Sequence, residues 1–189
     1  MEVLILFLGD DRMDVFEAVM KRRSVRSYEA TPVSKEILER VLEAARVAPS
    51  ASNRQPWHFI VVTDREKRKE LSKGLYAKFL AEAPVVIVAC GNERVSPHWY
   101  LVDVSLALQN MVIVATSEGL GTCYVGSFDE KVVKKLLMIP DDLRVIVLLA
   151  VGYPSAKEGR GRKSREAKSL AEIVSHEEYD QHQRESEQT

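Results

Sequence analysis

Cysteine and histidine are scarce in this chain. Its 189 residues include two cysteines, Cys90 and Cys123, far apart in sequence, and four scattered histidines, His58, His98, His176 and His182. This excludes a disulfide scaffold and leaves no zinc-type ligand spacing. It fits a reducing, intracellular setting, so the expected location is cytoplasmic. An excess of one charge is lacking too. The formal net charge is −1, so no global field draws nucleic acid or another polyanion. The N-terminal apolar run Val3 to Leu8 covers six residues and follows Glu2. It is too short to cross a membrane and lacks the basic start of a signal peptide, so no membrane partner is expected. There is no Walker-type loop, no Gly-x-Gly-x-x-Gly opening a helix after a strand, and no convincing Ser-His-Asp or Cys-His arrangement.

What is present is a globular composition, 46% hydrophobic and 29% charged, on a chain long enough for one sizeable core or for a protomer that shares one. Asp14 with Glu17 three residues on reads as a helix start, with Val15, Ala18 and Val19 on one stripe. Ser34 can cap a second helix carrying Ile37, Leu38, Val41, Leu42 and Ala45, which Pro49 stops. Trp57 to Thr63 reads as a strand and Glu66 to Leu80 as a charged surface helix weakened by Gly74. Pro84 to Cys90 is a buried strand. Trp99 to Glu118 is the longest helix, with Gly119 as its C-terminal cap. A short helix over Asp129 to Leu137 precedes a strand over Leu143 to Val151. Leu170 to Val174 reads as a last short strand, and His176 to Thr189 as a polar tail.

Four stretches carry polar chemistry. Lys21-Arg22-Arg23-Ser24-Val25-Arg26-Ser27-Tyr28 places four cations and two serine hydroxyls within eight residues; guanidinium forks and hydroxyls suit a phosphate. Pro49-Ser50-Ala51-Ser52-Asn53-Arg54-Gln55-Pro56-Trp57 is a loop between prolines, rich in donors and acceptors. Gly119 through Tyr124, Val125, Gly126, Ser127 and Phe128 contains glycines that let a flat ligand approach the backbone. Lys157 to Lys168 holds three Lys, three Arg and two Gly and reads as a mobile basic loop. Cys123 sits in an apolar setting without a nearby base and reads as a buried small residue. Together the pieces suit a ligand with a phosphate at one end and a polar planar ring at the other, which describes flavin mononucleotide (FMN).

In this order the stretches resemble the nitroreductase family of FMN-dependent oxidoreductases. Arg22-Arg23-Ser24-Val25-Arg26 resembles its first flavin motif, Pro49 to Phe59 its second, Gly119 to Ser127 its third, and Lys163-Ser164-Arg165 its C-terminal phosphate clamp. The resemblance runs from about Asp14 to Val174. It implies an α+β fold, a central mixed sheet flanked by helices, in an intertwined homodimer with shared active sites. Residues 1–12 would be an extension, 13–175 the FMN-binding domain, and 176–189 the tail. By this resemblance Arg22, Lys163 and Arg165 hold the phosphate with help from Ser24. Arg23 contributes backbone, and Arg26 lies by the pyrimidine end of the ring. Pro49, Ser50, Ala51 and Asn53, with Gln55, reach the flavin of the other subunit. Tyr124, Val125, Gly126 and Ser127 line the ring, with the Gly126 amide at the hydride-accepting nitrogen. The implied activity is two-electron transfer from NADH or NADPH through FMN to a small organic acceptor, a nitroaromatic, quinone or related compound, by a ping-pong mechanism. No side chain is required as acid or base. The alternatives are a reductive dehalogenase-like or flavin-fragmenting relative, or a non-catalytic phosphate-binding module. The chain departs from longer relatives in having Gly126 where many carry Glu, and in a shortened segment after the first strand; both bear on the acceptor.

Overall fold

The strands form over stretches of five to ten residues rich in β-branched, aliphatic or aromatic side chains. The computed structural model describes residues 13–158 and 167–179. Its strands are β1 (Trp57–Val62), β2 (Val85–Asn92), β3 (Gly121–Val125) and β4 (Leu143–Gly152). They form one sheet in the order β1-β2-β4-β3 with every pairing antiparallel. Among the described residues the parallel component of the expected mixed sheet is a single bridge from Ser24 to Thr122. The apolar run Val3 to Leu8, the 180–189 part of the tail, Lys163 and Arg165 lie outside the described residues.

Both faces of the sheet are covered, which is the α+β architecture. Val86, Val88 and Cys90 of β2 join Leu148, Ala150 and Cys123 against Leu71, Phe79, Leu80 and Val133. On the other face Val85, Ile87, Ala89, Leu149 and Val151 meet Val41, Ala45, Val104, Leu108, Met111 and Ala115. Alternation along β2 thus feeds two cores, as expected of a strand buried on both sides.

The helices start where capping residues stand. Asp14 opens α1 (Val15–Lys21), accepting from the Glu17 amide at 2.8 Å. Ser34 opens α2 (Lys35–Arg46), accepting from Ile37 N–H at 3.3 Å. Asp64 opens α3 (Arg65–Leu71), and Asp129 opens α5 (Glu130–Leu137). The longest helix, α4 (Tyr100–Ser117), crosses the second face. Gly119 takes φ +75° after it; Gly119 N–H donates to Thr116 O at 3.0 Å and Leu120 N–H to Ala115 O at 2.8 Å. This is a Schellman closure that turns the chain straight into β3. Among the described helices α4 alone is long and apolar enough to cross a membrane by length and composition. Here its inner side lies in the core.

Two expectations change. The helix read over Glu66 to Leu80 ends at Leu71 and resumes only as a 3₁₀ turn over Lys78–Ala81. Gly74 sits in the break, where a Cβ would meet Ser127 O at 2.5 Å, so this segment follows a tertiary contact. The strand read over Leu170 to Val174 is instead a short helix, α6 (Leu170–Ile173). Ser169 and Glu172 form a capping box, with Ser169 N–H donating to Glu172 Oε2 at 2.7 Å. That reciprocal pairing outweighs the apolar run's strand-like look. The chain through Glu158 forms one compact unit, and Gly159 onward a second.

A Cβ at Gly121 would meet Val25 side-chain atoms at 2.5, 2.6 and 2.8 Å, and Val25 is itself buried. Gly121→Ala should therefore displace Val25 from the β3 edge and cost about 1–3 kcal/mol of stability, the usual penalty for overpacking. Urea unfolding checks this; an unchanged midpoint would refute it.

Candidate functional site

The basic stretch is laid along the free edge of β3. Val25 N–H donates to Thr122 O at 2.9 Å, alongside the bridge at Ser24. The buried Tyr28 hydroxyl donates back to Val25 O at 2.6 Å, and Glu29 N–H donates to Tyr153 O at 2.9 Å. With Val25 and Tyr28 turned inward, Arg23, Ser24 and Arg26 are exposed and Arg22 is half-buried at the end of α1. Among the described residues Arg22 and Arg23 join no ion pair, whereas Lys21 pairs with Glu17. The Arg26 guanidinium lies 5.9 Å from the Phe79 ring centroid, in cation–π range.

β3 leads directly from this edge into Gly126 and Ser127. Tyr124 projects outward, 39% exposed, while the Val125 side chain is in the core; only the Val125 backbone can face a ligand. Burial pushes the Tyr124 phenol up to about 12, with the Arg22 charge pulling it the other way. The phenol is thus a neutral donor at neutral pH, and the first and third motifs are electrostatic neighbours. Beside Tyr124 a recess of about 320 Å³ is lined by Ser105, Leu108, Gln109, Ile146 and Val147. A Cβ at Gly126 would meet nothing within 4 Å, and its φ is not in the left-handed region. Among the described residues nothing requires glycine there, so the open space suits a cradle for an external group. Ser127 Oγ donates to Leu75 O, which ties the turn to the Gly74 segment.

The second motif lies elsewhere. Pro49 to Gln55 precedes β1, the opposite edge of the sheet from β3, three strand spacings or about 14 Å away across the sheet. Ala51–Asn53 is a 3₁₀ turn in which Ser52 and Asn53 take φ 51° and 53°, followed by Gln55 at φ 48°. Gln55 N–H donates to Ser50 Oγ at 2.9 Å and Gln55 Nε2 to Asn53 Oδ1 at 3.0 Å. Ser50 and Ala51 are half-buried; Pro49, Asn53 and Gln55 are exposed. The structure therefore brings Arg22 to Arg26 together with Tyr124 to Ser127, and leaves Pro49 to Gln55 apart from both. A surface groove along Glu36, Glu39, Arg40, Glu43 and Arg46 of α2 contains none of these residues.

The sequence matches the nitroreductase family over residues 19–79 and 71–153. The chain belongs to that family. Nitroreductase-family members are FMN-dependent oxidoreductases that draw on NAD(P)H, and the protein is an oxidoreductase of that kind. A relative from Methanothermobacter thermautotrophicus, provisionally named NADH dehydrogenase/NAD(P)H nitroreductase, is 34% identical over 155 residues, covering 78% of this chain and 81% of its own. A Bacillus subtilis relative named FMN reductase (NADPH) is 29% identical over 170 residues, covering 78% and 68%. A crystal structure from Parabacteroides distasonis, provisionally named NADH dehydrogenase/NAD(P)H nitroreductase, superposes with a TM-score of 0.78 at 32% identity, covering 87% of this chain and 98% of that one.

Sequence reasoning missed three residues that hold the candidate segments in place. Glu158 accepts from Arg26 N–H at 2.9 Å, 132 residues away. Asp103 accepts from Ala51 N–H at 2.9 Å, 52 residues away. Gly74 admits the Ser127 turn. None has a local pattern; only the Gly74 break in a helical run signalled anything.

Cys123 is 2% exposed and packs in the first core, so its sulfur has no route to a substrate. Cys123→Ala should retain most NAD(P)H-dependent turnover. A loss beyond about a hundredfold with flavin still bound would correspond to nearly 3 kcal/mol of transition-state stabilisation and would make the thiol chemical.

Proposed function

We propose that this protein binds one FMN per chain and transfers two electrons from NADH or NADPH to a small organic acceptor such as a nitroaromatic or quinone, within a functional domain over residues 13–175. The observation that carries the reading is the unfilled space at the Gly126 backbone, on the turn that continues the strand edge where Arg22 to Arg26 are docked. It offers the close backbone approach that a planar ring needs beside cations that suit its phosphate. Bound FMN would supply the two-electron redox chemistry between nicotinamide and acceptor, which a ping-pong sequence suits.

The chain's own groups bind and orient. Arg22, with Ser24, would hold the phosphate, joined by Lys163 and Arg165. Arg26 would place positive charge by the ring and raise its reduction potential. Gly126 N–H would donate to the ring, with Ser127 and the neutral Tyr124 phenol beside it. Protons come from solvent.

The distance of Pro49 to Gln55 from Gly126 supports a homodimer in which this loop serves the partner's flavin. A single chain would supply half of each site. The holo-protein should therefore be dimeric with concentration-dependent stability; light scattering that finds a flavin-loaded monomer at low micromolar concentration would refute it.

The phosphate assignment has a direct test. Charge-assisted hydrogen bonds are worth about 1.5–3 kcal/mol each, so Arg22→Ala and Arg165→Ala should each weaken FMN binding about ten- to a hundredfold. Riboflavin, which lacks the phosphate, should bind the parent poorly and be indifferent to both changes. If riboflavin affinity falls as far as FMN affinity, these residues support the fold and the clamp is wrong.

A further inference from the structure

We infer that Asp103 is a positioning residue that sets the Pro49 to Gln55 loop in the shape that meets the flavin. This rests on the proposed FMN site and adds a residue to it. Asp103 is 2% exposed, an uncommon place for a carboxylate unless it is hydrogen-bonded. Its Oδ1 accepts from Ala51 N–H at 2.9 Å and its Oδ2 from the buried Ser96 hydroxyl at 3.0 Å. It stands in the first turn of α4, where the helix dipole favours an anion. Among the described residues it forms no ion pair.

What Asp103 holds is a strained object. Three non-glycine residues, Ser52, Asn53 and Gln55, occupy the left-handed region, which is unfavourable for each of them. A relaxed turn could join α2 to β1 without that strain. The internal bonds of Ser50, Asn53 and Gln55 define the loop's shape, but none of them joins it to the rest of the fold. The bond to Ala51 N–H joins it to α4 at the residue that begins the 3₁₀ turn. Two turns further along α4, Asn110 Nδ2 donates to Ala44 O at 3.0 Å and fixes the preceding end of α2. Asn110 therefore positions the helix, and Asp103 positions the loop with its outward donors and acceptors.

The chemistry separates positioning from mere stability. Asn at 103 keeps an acceptor for Ala51 N–H, and the Ser96 hydroxyl can turn to accept from its amide. Ala at 103 removes the anchor. Ala51→Pro removes the donor instead. Residue 51 opens a 3₁₀ turn, and Ser50 before it is extended at φ −144°, ψ 155°, a conformation compatible with a following proline.

The test measures FMN affinity of the full-length apo-proteins by flavin fluorescence quenching, with amide exchange over residues 50–55 in the absence of flavin. Asp103→Ala should weaken FMN at least tenfold and speed exchange at Ala51, while Asp103→Asn stays within threefold of the parent. Ala51→Pro should reproduce the affinity loss, and adding it to Asp103→Ala should cost nothing further. FMN affinity within threefold of the parent in Ala51→Pro overturns the proposal, whether or not Asp103→Ala folds. So does an Asp103→Asn variant as impaired as Asp103→Ala. A mixed dimer of one Asp103→Ala chain and one Arg22→Ala chain distinguishes this claim from the shared-site reading. With the loop acting across the seam it keeps one full-affinity site. If both sites are impaired while the Asp103→Ala homodimer is also impaired, the positioning role stands and the shared site falls.

Discussion

The close approach of Val25 to Gly121 is the constraint on which the placement of Arg22 to Arg26 depends. β3 is an edge strand, and its outer backbone groups need partners. The chain after α1 supplies them through Val25 N–H and the Ser24 bridge, but it can come that near only because residue 121 has no Cβ. Val25 is then buried, Tyr28 follows it inward, and the alternation turns the neighbouring cations out. The same lacing continues through Ser155 N–H to Ser27 O at 3.0 Å and Arg26 N–H to Glu158. Arg22 to Arg26 are thus fixed in register with β3, and so with the Gly126 turn at its end.

The Pro49 to Gln55 loop is tied to α4. Eighteen residues at 1.5 Å each make a rod of about 27 Å. At its first turn it holds the loop through Asp103; at its last, the Schellman closure delivers the chain into β3. One rigid element therefore relates the two candidate segments within the protomer. In the proposed dimer each α4 would tie half of its own flavin site to half of its partner's. Small shifts between chains would then act on both sites together.

The sequence was most legible where chemistry is local. Asp14, Ser34 and Asp129 cap the helices they precede, and Gly119 takes the left-handed turn its position predicted. The apolar runs became strands within two residues of their expected ends. Family resemblance, not periodicity, supplied the identity of the fold. The misread cases turned on contacts or on an overlooked cap. Glu66 to Leu80 had enough helical composition, but Gly74 must meet Ser127. Leu170 to Val174 was read for its apolar residues while Ser169 and Glu172 gave the better signal. Asp103 is a lone acid in an apolar helix, and its partner is 52 residues away. No spacing rule connects the two.

The outer side of α4 bears on what covers the protomer. Leu101, Val102 and Leu106 on it are 49%, 45% and 42% exposed, and Val15, Phe16, Val19 and Met20 of α1 are exposed as well. α1 packs against α4. A helix apolar on both sides requires burial on both. A bilayer is a poor cover, because Ser105 and Gln109 are exposed among these apolar residues and hydrocarbon would leave the Gln109 amide unpaired. Another protein surface can pair it. Burying half of seven such side chains contributes roughly 5–10 kcal/mol, and a two-fold seam between identical chains counts that contribution twice. The total is comparable to or exceeds the roughly 4–15 kcal/mol lost in translational and rotational freedom on association. A second copy of this chain is therefore an energetically sufficient cover. It would also bring a second α4, and with it a second Pro49 to Gln55 loop, to a molecule whose own loop precedes the strand at the opposite edge of the sheet from β3.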